Sequence, residues 1–244
     1  MDVVAAGKQD SKRQRRDGAR PGVEPPASET AAAQTPVAQT GRKLGPRALQ
    51  TRQRLLDAVA ALLAERSVLD IPVVEIARAA DTSPATFYHY FKDVDEAVLL
   101  LAENAAEKMP SMLAALDGDW RGQEGLRQAR ALVAAFIDHW DAHHAVLSLR
   151  NLSAEQGDPR FQRVRRAALS PVLEHLAAQI RISQEAGRVS GDLQPHIAAA
   201  ALASILESLS AHYRELQTFQ ATRDDLIETC ARILFQTLSG RAPR

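Results

Sequence analysis

The chain has one cysteine in 244 residues, only 5% aromatic side chains and no net charge. A lone thiol, Cys230, closes no intrachain disulfide, so no covalent staple stands in for a packed core. No apolar run reaches the roughly eighteen residues that a membrane-spanning helix needs, and no membrane partner is expected. The amino terminus lacks the charged, then apolar, then small-residue order of a signal peptide, which makes the cytoplasm the expected compartment. No alternation of period two marks a strand. Ser153, Ser170 and Ser190 lack a GxSxG context, HExxH is absent, and no glycine-rich phosphate loop follows a strand. The sequence thus offers no catalytic residue and no cofactor, and an enzyme is not expected.

The zero net charge hides a division. Between Arg42 and Lys92 eight Lys/Arg stand against five Asp/Glu, whereas residues 93–244 carry sixteen against twenty. The basic portion is where nucleic acid would be met. Residues 1–41 have no helical period, are rich in Ala, Pro, Gly, Gln and Thr, and read as a disordered tail. Its cluster Lys12, Arg13, Arg15, Arg16 admits two readings, nonspecific attraction to phosphates or charges that only keep the tail soluble. The length then suits a small domain over residues 42–92 and a larger one over residues 93–244.

The small domain carries the strongest signal, VVEIARAADTSPATFYHY from Val73 to Tyr90. Val73, Val74, Ile76, Ala77 and Ala80 have helical spacing for an inward face, and Pro72 sits where a first-turn proline costs no hydrogen bond. Asp81 ends that helix at a turn that often needs a left-handed backbone, which Asp tolerates. Ser83 and Pro84 restart a helix as N-cap and first helical residue. Phe87 and Phe91 then anchor inward, while Pro84, Ala85, Thr86, Tyr88 and His89 face outward, with Tyr90 among the same solvent-side residues. Two helices of an ordinary bundle would show Glu and Lys there, so the pattern reads as a helix-turn-helix. Upstream, a long amphipathic helix over residues 47–66 turns Leu55, Leu56, Val59, Leu62 and Leu63 to one side and braces the pair. Downstream, Asp93 with Glu96 has capping-box spacing, so a fourth helix starts near Val94. Candidate DNA contacts are Arg47, Thr51, Thr82, Ser83, Pro84, Ala85, Thr86, Tyr88, His89, Tyr90 and Lys92.

Over about fifty residues, from TRQRLLDAV through IARAADTSPATFYHYFKDVDEAV, the sequence resembles the amino-terminal DNA-binding domain of the TetR family of transcriptional regulators. The resemblance implies a homodimer on double-stranded DNA at a pseudo-palindromic operator. Asp81 stands where that family usually has Gly, and Val94 where it usually has a Lys that bonds a phosphate, a role neighbouring Lys92 can take. Val73 occupies a position where some relatives carry a hydroxyl.

The rest reads as helix, making an all-α chain of about nine helices. Pro110 should kink or end the fourth, and Gly118, Gly122 and Gly125 mark a loop. Helices follow over residues 124–142, 144–154, 160–186, 197–216 and 222–238. The eighth is rich in small side chains that let helices approach closely, and the ninth shows more apolar surface than one side of a lone helix should. The resemblance implies that these two form a four-helix dimer interface, and plain core packing is the alternative. His139, His143 and His144 have a spacing that can bind metal but no carboxylate or Cys partner, so they read as exposed or pocket-edge histidines and no metal is expected.

Trp120, Phe136, Trp140 and Tyr213 read first as core. As a group with Leu147, Leu173, Leu176 and Ala203 they suit an apolar pocket, with Asn151 and Glu207 among its polar contacts. PHIAAAALASILESL, after EAGRVSGDLQ and FIDHWDAHHAVLSLRN, resembles the carboxy-terminal domain of ethionamide-resistance-repressor-type TetR regulators, which implies a hydrophobic small-molecule effector. Ala203 and Leu206 replace the ligand-contacting amides of that type. The expected function is a repressor released from its operator by such a ligand. A ligand-independent or nucleoid-type DNA binder, whose large domain only dimerises, is the alternative.

Overall fold

The computed structural model describes residues 44–113, 118 and 120–240, and the reading of residues 1–41 lies outside them. All regular structure among the described residues is helical. Helix α1 (Pro46–Glu65) starts on a proline at its first position and buries Leu55, Leu56, Val59 and Leu63. After a 3-10 turn come α2 (Val73–Ala79) and α3 (Pro84–Tyr90), and then α4 (Val94–Ala106). Asp93 caps α4 by accepting from the Glu96 amide at 2.8 Å, and the Glu96 carboxylate reaches back to the Lys92 amide at 2.5 Å. The box thus closes one residue upstream of the cap itself.

Pro110 does not kink α4, which ends at Ala106. Pro110 lies instead in a five-residue helix, α5 (Met109–Leu113), that the sequence pattern does not show. The helices expected over residues 124–142 and 144–154 follow one another along α6 (Gly122–Glu155) and are parted by a kink at His143, whose φ of −131° and ψ of 18° leave the helical basin. Gly125 is inside α6 and not in a loop. A Cβ there would sit 2.4 Å from the Trp120 carbonyl carbon and 2.8 Å from the Phe235 ring, so this glycine permits a close approach. Helix α7 (Pro159–Glu185) begins at the Asp158 cap and continues through Pro171. Helix α8 (Pro195–His212) ends earlier than the periodicity predicts and passes into a 3-10 segment, Tyr213–Phe219. Helix α9 (Arg223–Ser239) opens on a full capping box between Thr222 and Asp225, and closes on Gly240 at φ 69°.

Two large apolar clusters and one small one organise the described residues. One large cluster gathers Leu55, Leu56, Val59, Ile76, Phe87, Phe91, Ala97 and Val98 from α1–α4 and extends to Ala154, Phe161 and Val164 of α6 and α7. The other gathers Trp120, Leu132, Phe136, Leu176, Leu206, Leu234 and Phe235 from the loop before α6 and from α6–α9. Each fully buried Leu or Phe contributes about 1.5–3 kcal/mol relative to exposure. The first cluster therefore ties the small amino-terminal helices to the last third of α6 and the start of α7.

Candidate nucleic-acid interface

The turn between α2 and α3 has the backbone its residues call for. Asp81 sits at φ 51°, in the left-handed region, and the Thr82 amide donates to the Ala77 carbonyl at 2.9 Å. Ser83 is extended and its hydroxyl accepts from the Thr86 amide at 3.2 Å, which leaves Pro84 as the first helical residue. Phe87 is fully buried and its ring centroid lies 5.4 Å from that of buried Phe91, which fixes the roll of α3. The roll leaves Pro84, Ala85, Tyr88 and His89 exposed, Tyr88 at 54%, with Thr86 half-buried and its hydroxyl 3.0 Å from that of Ser83.

Two expectations about faces fail, for the same geometric reason. Tyr90 is only 8% exposed and belongs to the core, so its ring is no part of the outward face. Three residues after Phe87 it stands about 60° from it around a helix of 3.6 residues per turn, and is pulled inward with it. Val74 is 53% exposed and not inward, because it precedes Ile76 by two residues and so lies on the far side of the short α2. Ile76, Ala77 and Ala80 alone carry that buried face, with Val73 half-buried.

The flanking candidates lie as follows. Arg47 is exposed, and Thr51 donates its hydroxyl to the Arg47 carbonyl at 3.1 Å. Lys92 is exposed, Thr82 is half-buried, and Asp93 and Val94 are both half-buried. Arg52, which the sequence reading passed over, has its guanidinium 5.6 Å from the Phe91 ring, and burial lowers its pKa against the pull of Glu96 and Glu103.

In the large domain the pocket candidates divide between separate apolar clusters and the surface. Trp120, Phe136 and Leu176 lie in the main core cluster, whereas Trp140 and Leu147 form a separate one with Ala105. Ala203 is buried, and Leu173 is half-buried beside a surface cleft. Glu207 is no lone carboxylate awaiting a donor. Its Oε1 accepts from Arg150 at 2.9 Å and its Oε2 from Arg165 at 3.3 Å. Arg150 is 2% exposed and also donates to Asn151 Oδ1 through Nε at 3.0 Å and Nη2 at 2.9 Å, so both predicted polar contacts are already engaged. Burial lowers the Arg150 pKa and Glu207 pulls it back up. Arg150 was legible: Phe136, Trp140, His143, Leu147, Arg150 and Ala154 follow one another at steps of three and four along α6, and a charge on that apolar stripe has to be paired.

His139 is 9% exposed, not at a pocket edge, and its Nε2 is buried without a partner. Burial holds its pKa down at about 4, with His143, Arg150 and Lys108 pushing the same way. His143 lies 3.3 Å from Lys108 Nζ through its Nε2, and His144 is exposed with Nε2 3.2 Å from the Ala211 carbonyl oxygen. Among the described residues no three His, Cys, Asp or Glu side chains gather as a metal site, and no helix is long and apolar enough to cross a membrane.

Two family models match the chain. Residues 55–99 match the tetR family of bacterial regulatory proteins, and residues 112–244 match a tetracyclin repressor-like carboxy-terminal domain. No curated protein matches. Solved structures share the fold at low identity. The fatty acid degradation regulator FadR of Bacillus halodurans is 18% identical at a TM-score of 0.60, over 83% of this chain and 100% of that one. FadR of Bacillus subtilis, in complex with stearoyl-CoA, is 17% identical at 0.54, over 78% and 98%. SmeT, the repressor of a multidrug efflux pump of Stenotrophomonas maltophilia, is 17% identical at 0.53, over 78% and 90%. The exposed α3 face on its two buried phenylalanines is thus the helix-turn-helix of a known architecture, and the chain is a member of the TetR family of transcriptional regulators.

Proposed function

We propose that the protein is a homodimeric repressor that holds a pseudo-palindromic operator and leaves it when a small, largely apolar molecule occupies the large domain. The observation that carries the reading is the α3 face: Tyr88 and His89 are exposed on a helix of seven residues, each held edge-on against a buried ring, Tyr88 against Phe87 at 5.7 Å and His89 against Tyr90 at 5.0 Å. Side chains of this kind, with Thr86, hydrogen-bond to base edges, whereas Arg47, Thr51 and Lys92 on the flanks suit phosphates. One short helix reads too few bases for useful affinity, and a two-fold pair reads two half-sites about 34–36 Å apart.

The surface for pairing is present on α8 and α9. Ile197 is 70% exposed, Ile205 37% and Ile233 40%, and Ala201 is exposed between the first two. Ile197, Ala201 and Ile205 follow at steps of four on one face, where small and apolar residues together let a second copy come close. The carboxy-terminal half further supports an ethionamide-resistance-repressor-like type through PHIAAAALASILESL and buried Glu207. Release is a population shift, in which a ligand that prefers the wider spacing of the two α3 helices moves the dimer off DNA by its differential affinity. Helix α4 transmits it, because its Ala97, Val98 and Ala102 share a core with α1–α3 as well as with α6 and α7.

A second reading, a DNA binder whose large domain only dimerises, is favoured by the burial of Phe136, Trp140, Leu147, Leu176 and Ala203. Selection of DNA by the purified protein from a random pool tests the shared part: an inverted repeat with centres one helical turn apart, or a multiple, is expected, and enrichment of no sequence refutes operator recognition. Titrating candidate effectors into the selected complex then separates the two readings.

A further inference from the structure

The start of α7, RFQRVRR from Arg160 to Arg166, is the most basic stretch of the large domain. Its charges are unequally matched. Arg160 pairs with Asp158 at 2.8 Å and Arg165 with Glu207 at 3.3 Å, whereas Arg166 has no acidic partner among the described residues. Arg165 spends only Nη2 on Glu207, which is also held by Arg150, and its Nε is buried without any acceptor. Two guanidinium groups thus share one carboxylate, and a third stands beside them unmatched.

These cations border a cleft of about 460 Å³ formed by α7 and the end of α6. Arg165 and Arg166 are at it, its apolar lining is Ala154, Leu169 and Leu173, and no acidic residue lines it. The remaining polar groups are already satisfied: Gln162 donates to the Ala154 carbonyl at 3.1 Å and Ser170 to the Arg166 carbonyl at 2.8 Å. Arg165, Leu169 and Leu173 follow at steps of four, so charge and apolar surface lie in one row along α7. A volume of this size is in the range of small-molecule sites, and a fork of unmatched N–H donors selects planar anions.

We propose that this cleft binds an amphipathic carboxylate, its head between Arg165 and Arg166 and its apolar chain along Leu169 and Leu173. The proposal rests on reading the large domain as an effector domain, and it reverses the sign of the head group that a lone Glu207 would imply. The site is also placed to act on DNA binding. Ala154 at its edge, and Phe161 and Val164 one turn away on α7, belong to the same core cluster as Phe87 and Phe91.

The test is calorimetric titration of the full chain with octanoate, with octan-1-ol as the uncharged chain and inorganic phosphate as the chainless anion. Saturable binding of octanoate is expected, at least tenfold weaker in Arg165→Gln and in Leu169→Asn, with no saturable heat from either control. Circular dichroism confirms that both variants are folded, and Arg166→Gln, exposed and unpaired, gives the same reading without risk to the fold. Equal binding of octan-1-ol overturns the role of charge, equal binding of phosphate overturns the apolar half, and unchanged octanoate binding in all three variants overturns the site. Operator release measured on the same samples reports separately on the regulatory reading. Octanoate that binds through Arg165 but releases no DNA leaves this site standing and removes its effector role.

Discussion

Glu207→Gln should destabilise this protein strongly for so small a change. In the wild type the Glu207 carboxylate neutralises Arg150, which is 2% exposed and has only Asn151 as its other acceptor among the described residues. The amide still offers an oxygen but no charge, so a guanidinium that cannot shed its proton is left buried and uncompensated. Removing one partner of a buried pair costs about 3–5 kcal/mol, mostly the penalty on the charge left behind. For a folded unit of this length each kcal/mol lowers Tm by roughly 2–4 °C, so the variant should melt on the order of 10 °C lower. Replacing both partners, as Arg150→Met with Glu207→Leu, removes the stranded charge and should recover most of that loss, although Arg165 then loses its acceptor at the surface. The assay is thermal unfolding followed by circular dichroism at one fixed protein concentration, since dimerisation makes Tm depend on it. A Glu207→Gln variant that melts with the wild type, or a double variant less stable than the single, refutes the argument that Arg150 depends on this carboxylate.

Tyr88→Ala should weaken operator binding by about 1–3 kcal/mol without loss of fold, whereas Lys92→Ala should weaken all sequences alike and lower the salt slope by about one. Gel-shift titrations over a salt series distinguish them, and wild-type affinity in a folded Tyr88→Ala protein removes α3 from the interface. Ile233→Glu places a carboxylate at the exposed isoleucine of α9 and should yield monomers by sedimentation, with operator binding lost; a persistent dimer puts the interface elsewhere. For His139, burial, with His143, Arg150 and Lys108, holds the folded pKa at about 4 against 6.5. Between those values the unfolded chain binds a proton that the folded one does not, so stability falls as pH drops from about 6.5 toward 4, by up to roughly 3 kcal/mol. His139→Gln should flatten that part of the stability curve in urea titrations, and an unchanged slope refutes the assignment. Asp81→Gly should stabilise by about 1 kcal/mol, since φ 51° costs Asp strain that Gly escapes, and a lower Tm would contradict it.

Much of this protein is decided locally and is therefore legible in the sequence. The Ser83 and Asp93 caps, the left-handed turn at Asp81, and the inward Phe87 and Phe91 depend on residues within one or two turns of each other, and short-range chemistry sets them. So do the absence of strands among the described residues and the basic bias of residues 42–92, which together with the turn mark a helix-turn-helix. At Tyr90 and Val74 residue type and angular position disagree, and helical phase turns the first inward and the second out. What tertiary structure decided involves partners far apart in the chain. Gly125 is needed because the Trp120 carbonyl folds back onto it and the Phe235 ring, 110 residues away, closes the other approach, and no local pattern shows the second contact. The pairing of Glu207 with Arg150 and Arg165 depends on α6, α7 and α8 converging. It turns a lone carboxylate, suited to a donor, into part of a site with excess positive charge, because the net charge of a site is the sum over all its groups and not that of any one of them.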